Sequence, residues 1–178
     1  MERILRMLAA GLFVLLAAGA ASALDIRSAV IRVDYPQLAP ISRFDLKPED
    51  MGFAGAMLAV EDNATTGQFL GHTFATETVA VPPEESEAAL DRLTAEGIRI
   101  FVILANAEDT LRLADRAGPD ALVINAGSPA ESLREDQCRA NLLHVAPSQA
   151  MLADAVAQFS VWKGWKRWFL VHGSNPAD

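Results

Sequence analysis

Ile98 to Leu104 reads Ile-Arg-Ile-Phe-Val-Ile-Leu, and this nearly continuous hydrophobic run constrains the fold more than any other feature. A strand with apolar residues on both alternating faces has to be covered on both sides, the condition of a central strand in a parallel sheet. Parallel neighbours are joined by long crossovers, normally helices. The sequence before the run supplies them. Ala29 to Tyr35 is rich in β-branched residues and stops at Pro36, which predicts a strand. Pro48-Glu49-Asp50 opens a helix, with proline in the first turn and acids at the positive helix end. That helix runs through Met51, Ala54 and Leu58 to about Glu61, and Asn63 to Gly67 ends it. His72 to Val81 is a second strand, whose threonine alternation predicts one exposed face. Pro82-Pro83-Glu84-Glu85 starts a helix with Ala89, Leu90 and Leu93 as its stripe and Gly97 as its stop.

The same alternation continues beyond the central run. Asn106 is placed to cap a helix with the stripe Ala107, Leu111 and Ala114, ended by Gly118-Pro119. Ala121 to Asn125 is a fourth strand, Ala126 to Arg139 a loop with one helical turn, and Leu142 to Ala146 a fifth strand. Ser148 caps a helix from Gln149 with the face Leu152, Ala155, Val156 and Phe159, and Trp168 to His172 reads as a sixth strand. The expected fold is α/β, a doubly wound parallel sheet with right-handed crossovers.

The N-terminus has the order of a signal peptide. Arg3 and Arg6 precede an uncharged run from Met7 to Ala20, and Ala21-Ser22-Ala23 offers a small-residue cleavage site. The run is shorter than the ~20 apolar residues of a membrane span. Cleavage after Ala23 would export the chain to a bacterial periplasm, with no stable membrane span left. Its lone thiol, Cys138, then reads as buried and inert.

Charge and motif narrow the function. Fifteen Lys and Arg against 23 Asp and Glu give a net charge of −8, which opposes a nucleic-acid partner because phosphate binding needs a basic face. The loop after the first strand has no G-x-G-x-x-G, which disfavours a nicotinamide or flavin enzyme; there is no P-loop and no G-x-S-x-G elbow. None of His72, His144 and His172 sits within metal-ligand spacing of another His or of Cys138, and all three lie on expected strands. Glu84-Glu85 and Glu108-Asp109 fall in first helical turns, where they serve the dipole. No enzyme constellation, cofactor or metal site emerges.

What remains is the carboxyl edge of the sheet, where open α/β folds bind ligands near helix N-termini. Two loops suit that use: Ala105-Asn106-Ala107, after the most buried strand, and Asn125-Ala126-Gly127-Ser128, whose small residues let backbone donors approach a ligand. Ordinary turn and cap chemistry accounts for them equally well.

The chain resembles the first lobe of a type I periplasmic binding protein, the receptor of an ABC importer. The likeness is carried by Pro48 to Ala56 with Leu58 to Asn63, close to the first helix of branched-chain amino-acid receptors. It is carried further by Asn125 to Ser128, Ala146-Pro147-Ser148, and Trp165 to Gly173. The run Glu61 to Gly71 resembles the branch associated with pyrroloquinoline-quinone-dependent alcohol dehydrogenase systems. The resemblance implies a non-catalytic solute receptor that clamps a small molecule between two lobes and presents it to a permease of the inner membrane. It places the ligand against Ala105, Asn106, Ala126, Gly127 and Ser128, with Tyr35 at the rim. Receptors for amino acids usually carry Ser or Thr after the third strand, where this chain has Ala105 and Asn106.

The implied division is a signal peptide over 1–23, a ligand-binding lobe over 24–148, and over 149–178 a hinge helix with the first strand of an incomplete second lobe. On that reading the chain is C-terminally truncated. Two other readings compete. One is a small flavodoxin-like periplasmic hydrolase using Ser128 or Ser174 with His172 as base. The other is an interaction module acting through Trp162, Trp165 and Trp168.

Overall fold

The computed structural model of the chain describes residues 23–171 and Gly173. Its centre is the expected strand, β3 (Ile100–Leu104), in a five-stranded parallel sheet ordered β2-β1-β3-β4-β5. The other strands are β1 (Asp25–Val33), β2 (Thr73–Val81), β4 (Leu122–Asn125) and β5 (Leu142–His144). Helices α1 (Phe53–Leu70), α2 (Ser86–Ala95) and α3 (Ala107–Ala117) make the crossovers, and α4 (Gln149–Trp162) follows β5. The architecture is the mixed α/β, parallel-sheet fold that the alternation predicts.

The two faces of the sheet are covered unequally. Ala29, Ile31 and Val33 of β1, Phe101 and Ile103 of β3 and Val123 of β4 form one buried cluster with Leu90 and Leu93 of α2 and Leu113 of α3. Phe101 and Ile103 are fully buried. The alternate residues point to the face of α1, where Val30 and Val102 lie near Ala56 and Val60. Ile100, Val102 and Leu104 there are half-buried. So the central strand is sealed on one face and partly covered on the other.

Several boundaries depart from expectation. β1 starts at Asp25, ahead of Ala29, because its polar start still pairs in register with Thr73 to Thr76 of β2. α1 does not end at Asn63 to Gly67 but runs on to Leu70. Asn63 Nδ2 donates to the Ala59 carbonyl and the Thr65 hydroxyl to the Glu61 carbonyl, so the expected turn formers bond back into the helix. The stop is Gly71, in the left-handed conformation at φ 70°, with His72 N–H closing on the Gly67 carbonyl. β5 ends at His144, ahead of Ala146.

Trp168 to Val171 forms no strand, and among the described residues no strand pairs with it. The α4 face named from sequence is not core: Leu152, Val156 and Phe159 are exposed, and the helix buries Ser160 instead. Cys138 is exposed rather than buried, standing in the irregular stretch after the 3-10 turn Glu131–Arg134. The signal peptide expected over 1–23 lies, but for Ala23, outside the described residues, as do His172 and Ser174. No helix among the described residues is long and apolar enough to cross a membrane.

Candidate functional site

The sheet order places the site. From β1 the chain crosses outward to β2, while from β3 it crosses the other way to β4, so β1 and β3 flank the point where the winding reverses. At such a switch point the loops part and leave a crevice beyond the carboxyl ends of the strands. A cleft of about 530 Å³ lies there. It is lined by Tyr35 and Gln37 after β1, Lys47 to Glu49, Met51 and Gly52 before α1, Leu104 at the end of β3 with Ala105 after it, and Gly127 after β4. The strands end together because Ile103 is in register with Ile31 on one side and with Asn125 on the other.

The inner wall is a hydrogen-bonded cluster around the start of α3. Asn106 caps that helix, its side chain accepting from the Asp109 N–H at 2.8 Å. The Tyr35 hydroxyl donates to Asp109 Oδ2 at 2.5 Å and accepts from the Asn106 N–H at 3.0 Å. Arg112 closes the cluster, paired with Asp109 and with Glu87 of α2. Burial, then the bond to Asp109, push the Tyr35 phenol up to about 12. Burial opposes ionisation of Asp109, yet the bonds from Tyr35 and Arg112 outweigh it and hold the carboxyl below its ordinary value.

The wall formed by the loop after β4 depends on Asn125, which is fully buried. Its Oδ1 accepts from the N–H groups of Gly127 (3.1 Å) and Ser128 (2.8 Å), and its Nδ2 donates to the Ser128 carbonyl at 2.7 Å. The same Nδ2 lies 3.1 Å from His144 Nδ1. Gly127 is packed on β3 so closely that a Cβ there would sit 2.7 Å from the Ala105 nitrogen and 2.9 Å from its carbonyl oxygen. Only glycine fits.

The outer rim depends on Arg32. Its guanidinium donates to the carbonyls of Glu49 (2.8 Å) and Met51 (3.0 Å), pairs with Asp34 at 2.8 Å, and stacks over Phe53 at 4.6 Å from the ring centroid. One side chain of β1 therefore holds the segment leading into α1 against the sheet.

Of the residues singled out from sequence, Tyr35, Ala105 and Gly127 share the cleft lining. Asn106 is exposed beside it and spends its side chain on the cap. Ala126 is half-buried, with its N–H on the Ile103 carbonyl. Ser128 is 3% exposed, and its hydroxyl accepts from the Ala130 N–H at 3.4 Å. Sequence reasoning passed over Arg32 and Lys47, gave Asp109 only a dipole role, and named Asn125 in the loop after β4 without a role of its own. A signal existed for Asn125, a carboxamide ending a hydrophobic strand; Arg32 inside a strand and Asp109 in a helical first turn carried none. Among the described residues, no three of His, Cys, Asp and Glu converge as a metal site.

No protein-family model matches the chain, and no curated protein matches it. Among solved structures it is similar to the leucine-, isoleucine-, valine-, threonine- and alanine-binding protein from Brucella ovis in its closed conformation. The identity is 18% and the TM-score 0.57, over 79% of this chain and 37% of that one. The chain thus spans well under half the length of that protein, and the likeness establishes the fold, that of a periplasmic binding protein lobe. A second structure, RSP in complex with β-NAD+ and operator DNA, aligns at 14% identity and a TM-score of 0.39, over 91% of this chain and 70% of that one.

Proposed function

We propose that the chain is the first ligand-binding lobe of an exported solute receptor, the substrate-binding component of an ABC importer, without catalytic activity of its own. The observation that carries this reading is the convergence of Tyr35, Ala105 and Gly127 on one cleft at the switch point of the sheet. Position and size suit a small molecule. A likeness to an amino-acid-binding receptor supports a solute-binding role at the level of the fold. In this reading Tyr35, Ala105 and Gly127 touch the ligand, while Asn106, Ala126 and Ser128 shape the loops behind them.

The remaining parts follow the same reading. Residues 1–23 are a signal peptide removed on export to the periplasm, and residues 149–178 are a hinge helix and the entry to a second lobe. Trp162, Trp165 and Trp168 are 74%, 58% and 52% exposed, surface that a second lobe would cover. The run Glu61 to Gly71 extends the reading to the branch linked with pyrroloquinoline-quinone-dependent alcohol dehydrogenase systems, and the permease is the implied partner.

The test is thermal shift followed by calorimetry on the purified chain, with small acids, amides, alcohols and amino acids. A small rise in midpoint with at least one compound, at the weak affinity expected of one lobe of a two-lobed clamp and lost on filling the cleft through Ala105→Trp, is the expected result. No response to any member of the panel would remove the receptor reading.

A further inference from the structure

The loop between β1 and α1 exposes four large apolar side chains beside the cleft: Leu38, Ile41, Phe44 and Leu46. Leu38 is 97% exposed and Ile41 100%, so neither packs on the described fold. Single exposed apolar residues are ordinary, but four within nine positions at the mouth of a cleft mark a binding surface. The loop is nonetheless ordered locally. Ser42 caps the short turn Arg43–Asp45, its Oγ accepting from the Phe44 N–H at 3.2 Å while Asp45 Oδ2 accepts from the Ser42 N–H at 2.9 Å. Among the described residues, no hydrogen bond ties residues 36–46 to the rest of the fold.

The bend of this loop forms a second, open concavity of about 620 Å³, walled by Leu38, Pro40, Ile41 and Leu46. The acid on that wall, Asp45, is spent on the Ser42 N–H. Gln37 and Lys47 line both the concavity and the cleft, so the two adjoin. A lysine stem is a methylene chain, over which an apolar chain can pass while the ammonium stays in water. On the cleft side of that passage the lining includes Val33, Met51, Leu104 and Ala105. Apolar surface therefore continues from the strand ends, past Lys47, onto the exposed loop.

Resting on the receptor reading above, we infer that the site has two parts and that its ligand is an amphiphile, with a small polar head in the cleft and a linear aliphatic chain running past Lys47 onto Leu38, Pro40, Ile41 and Leu46. A short solute fills the cleft and leaves the loop in water. A chain that reaches the loop gives Leu38 and Ile41 the apolar contact that no described residue supplies.

Linear alkanols and alkanoates from butyl to octyl test this on the full chain, the two series separating a neutral head from an anionic one. Binding is read from the backbone amide shifts of Ala105 and Gly127 in the cleft and of Leu38 and Ile41 in the loop. Butyl members should shift the cleft pair alone, and octyl members both pairs. In at least one series affinity should rise about three-fold per added methylene, short of the about four-fold of complete burial because the concavity is open. Leu38→Ser combined with Ile41→Ser removes apolar wall at positions too exposed to support the fold. It should flatten that gradient and cost the octyl member at least five-fold more than the butyl one. Shifts at the cleft pair for every length, with none at Leu38 and Ile41, would overturn the inference and leave the receptor reading standing. A gradient equally steep in the double variant would do the same. Octyl shifts confined to the indoles of Trp162, Trp165 and Trp168 would mark adsorption and overturn it too. No shift at the cleft pair with either series would also overturn it, and the receptor reading would then stand or fall on its own wider panel.

Discussion

Tyr35 donates its phenolic proton to Asp109 at 2.5 Å, tying the loop after β1 to the first turn of α3 across 74 positions of sequence. The bond joins the two segments that part at the switch point, so it sets how wide the cleft can be. Asp109 in turn leans on Arg112 and through it on Glu87 of α2. The inner wall of the cleft is therefore continuous with the helix pair that packs the main core.

Tyr35 is the sole tyrosine of the chain, so its titration can be read directly by ultraviolet absorbance. Burial and the bond to Asp109 place its folded value at about 12, against about 10 for a free phenol. The folded state keeps a proton that the unfolded chain gives up in this window. Stability from Tyr35 is thus complete below about 10 and declines as pH rises toward about 12. Asp109→Asn should move the titration back toward the free value. A wild-type midpoint near 10 would mean the bond is not formed in solution.

Gly127 and Gly55 give opposite predictions for the same substitution. Gly127→Ala drives a methyl into the backbone of Ala105, just past β3, and should cost about 1–3 kcal/mol, as over-packing does. Gly55 lies in α1 with no atom within 4 Å of an added Cβ, so Gly55→Ala should stabilise by about 0.5–1 kcal/mol. Urea unfolding of both variants checks the pair, and a neutral Gly127→Ala would mean the loop stands off from β3.

Asn125→Ala deletes an acceptor shared by the buried Ser128 N–H and the partly buried Gly127 N–H. An unsatisfied group costs about 1–3 kcal/mol, so a loss at the upper end of that range is expected. The local sign should be plainer than the global one. Amide exchange at Gly127 and Ser128 should accelerate more than exchange at Phe101 or Ile103, and uniform acceleration would show that Asn125 supports the core rather than the loop.

The sheet was legible because its evidence is local and repeated. The apolar run of β3, the caps Asn106 and Ser148 and the stop at Gly97 each depend on neighbours within a turn or two, and each is where the sequence placed it. The misread elements depend on partners. Asn63 and Thr65 look like a turn until their side chains find helix carbonyls, and Trp168 to Val171 looks like a strand until no strand lies beside it. The cleft divides in the same way. Ala105 and Gly127 follow from strand ends, whereas Arg32 and Asp109 act through bonds to segments 17 and 74 positions away, which no local pattern encodes.

His144 should make the loop after β4 sensitive to acid. Burial, then the nearby charge of Arg134, hold its imidazole below the ordinary value of about 6.5. Between that lowered value and about 6.5 the unfolded chain carries more protons than the folded one. Stability is therefore complete above about 6.5 and falls as pH drops through the folded value. Protonation also removes Nδ1 as an acceptor for Asn125. Histidine NMR titration should show the low midpoint, and His144→Gln should flatten the dependence of the urea midpoint on pH. A midpoint at or above 6.5 would contradict the assignment.

Arg32 offers the sharpest test of the rim, because one side chain bonds two of its carbonyls and stacks on the residue that follows it. Arg32→Met keeps the stem against Phe53 and removes both carbonyl bonds and the pair with Asp34, at a cost of about 2 kcal/mol. Arg32→Lys keeps the charge but not the planar fork, so it should recover less than half of that loss. Limited proteolysis discriminates between rim and core. Cleavage within residues 46–52 should rise several-fold in Arg32→Met while the sheet stays protected, because the guanidinium's hydrogen bonds go to the segment before α1 and its stacking reaches only Phe53, the first residue of that helix. If the variant is cut throughout the chain at equal rates, Arg32 belongs to global stability and the rim is held by other contacts.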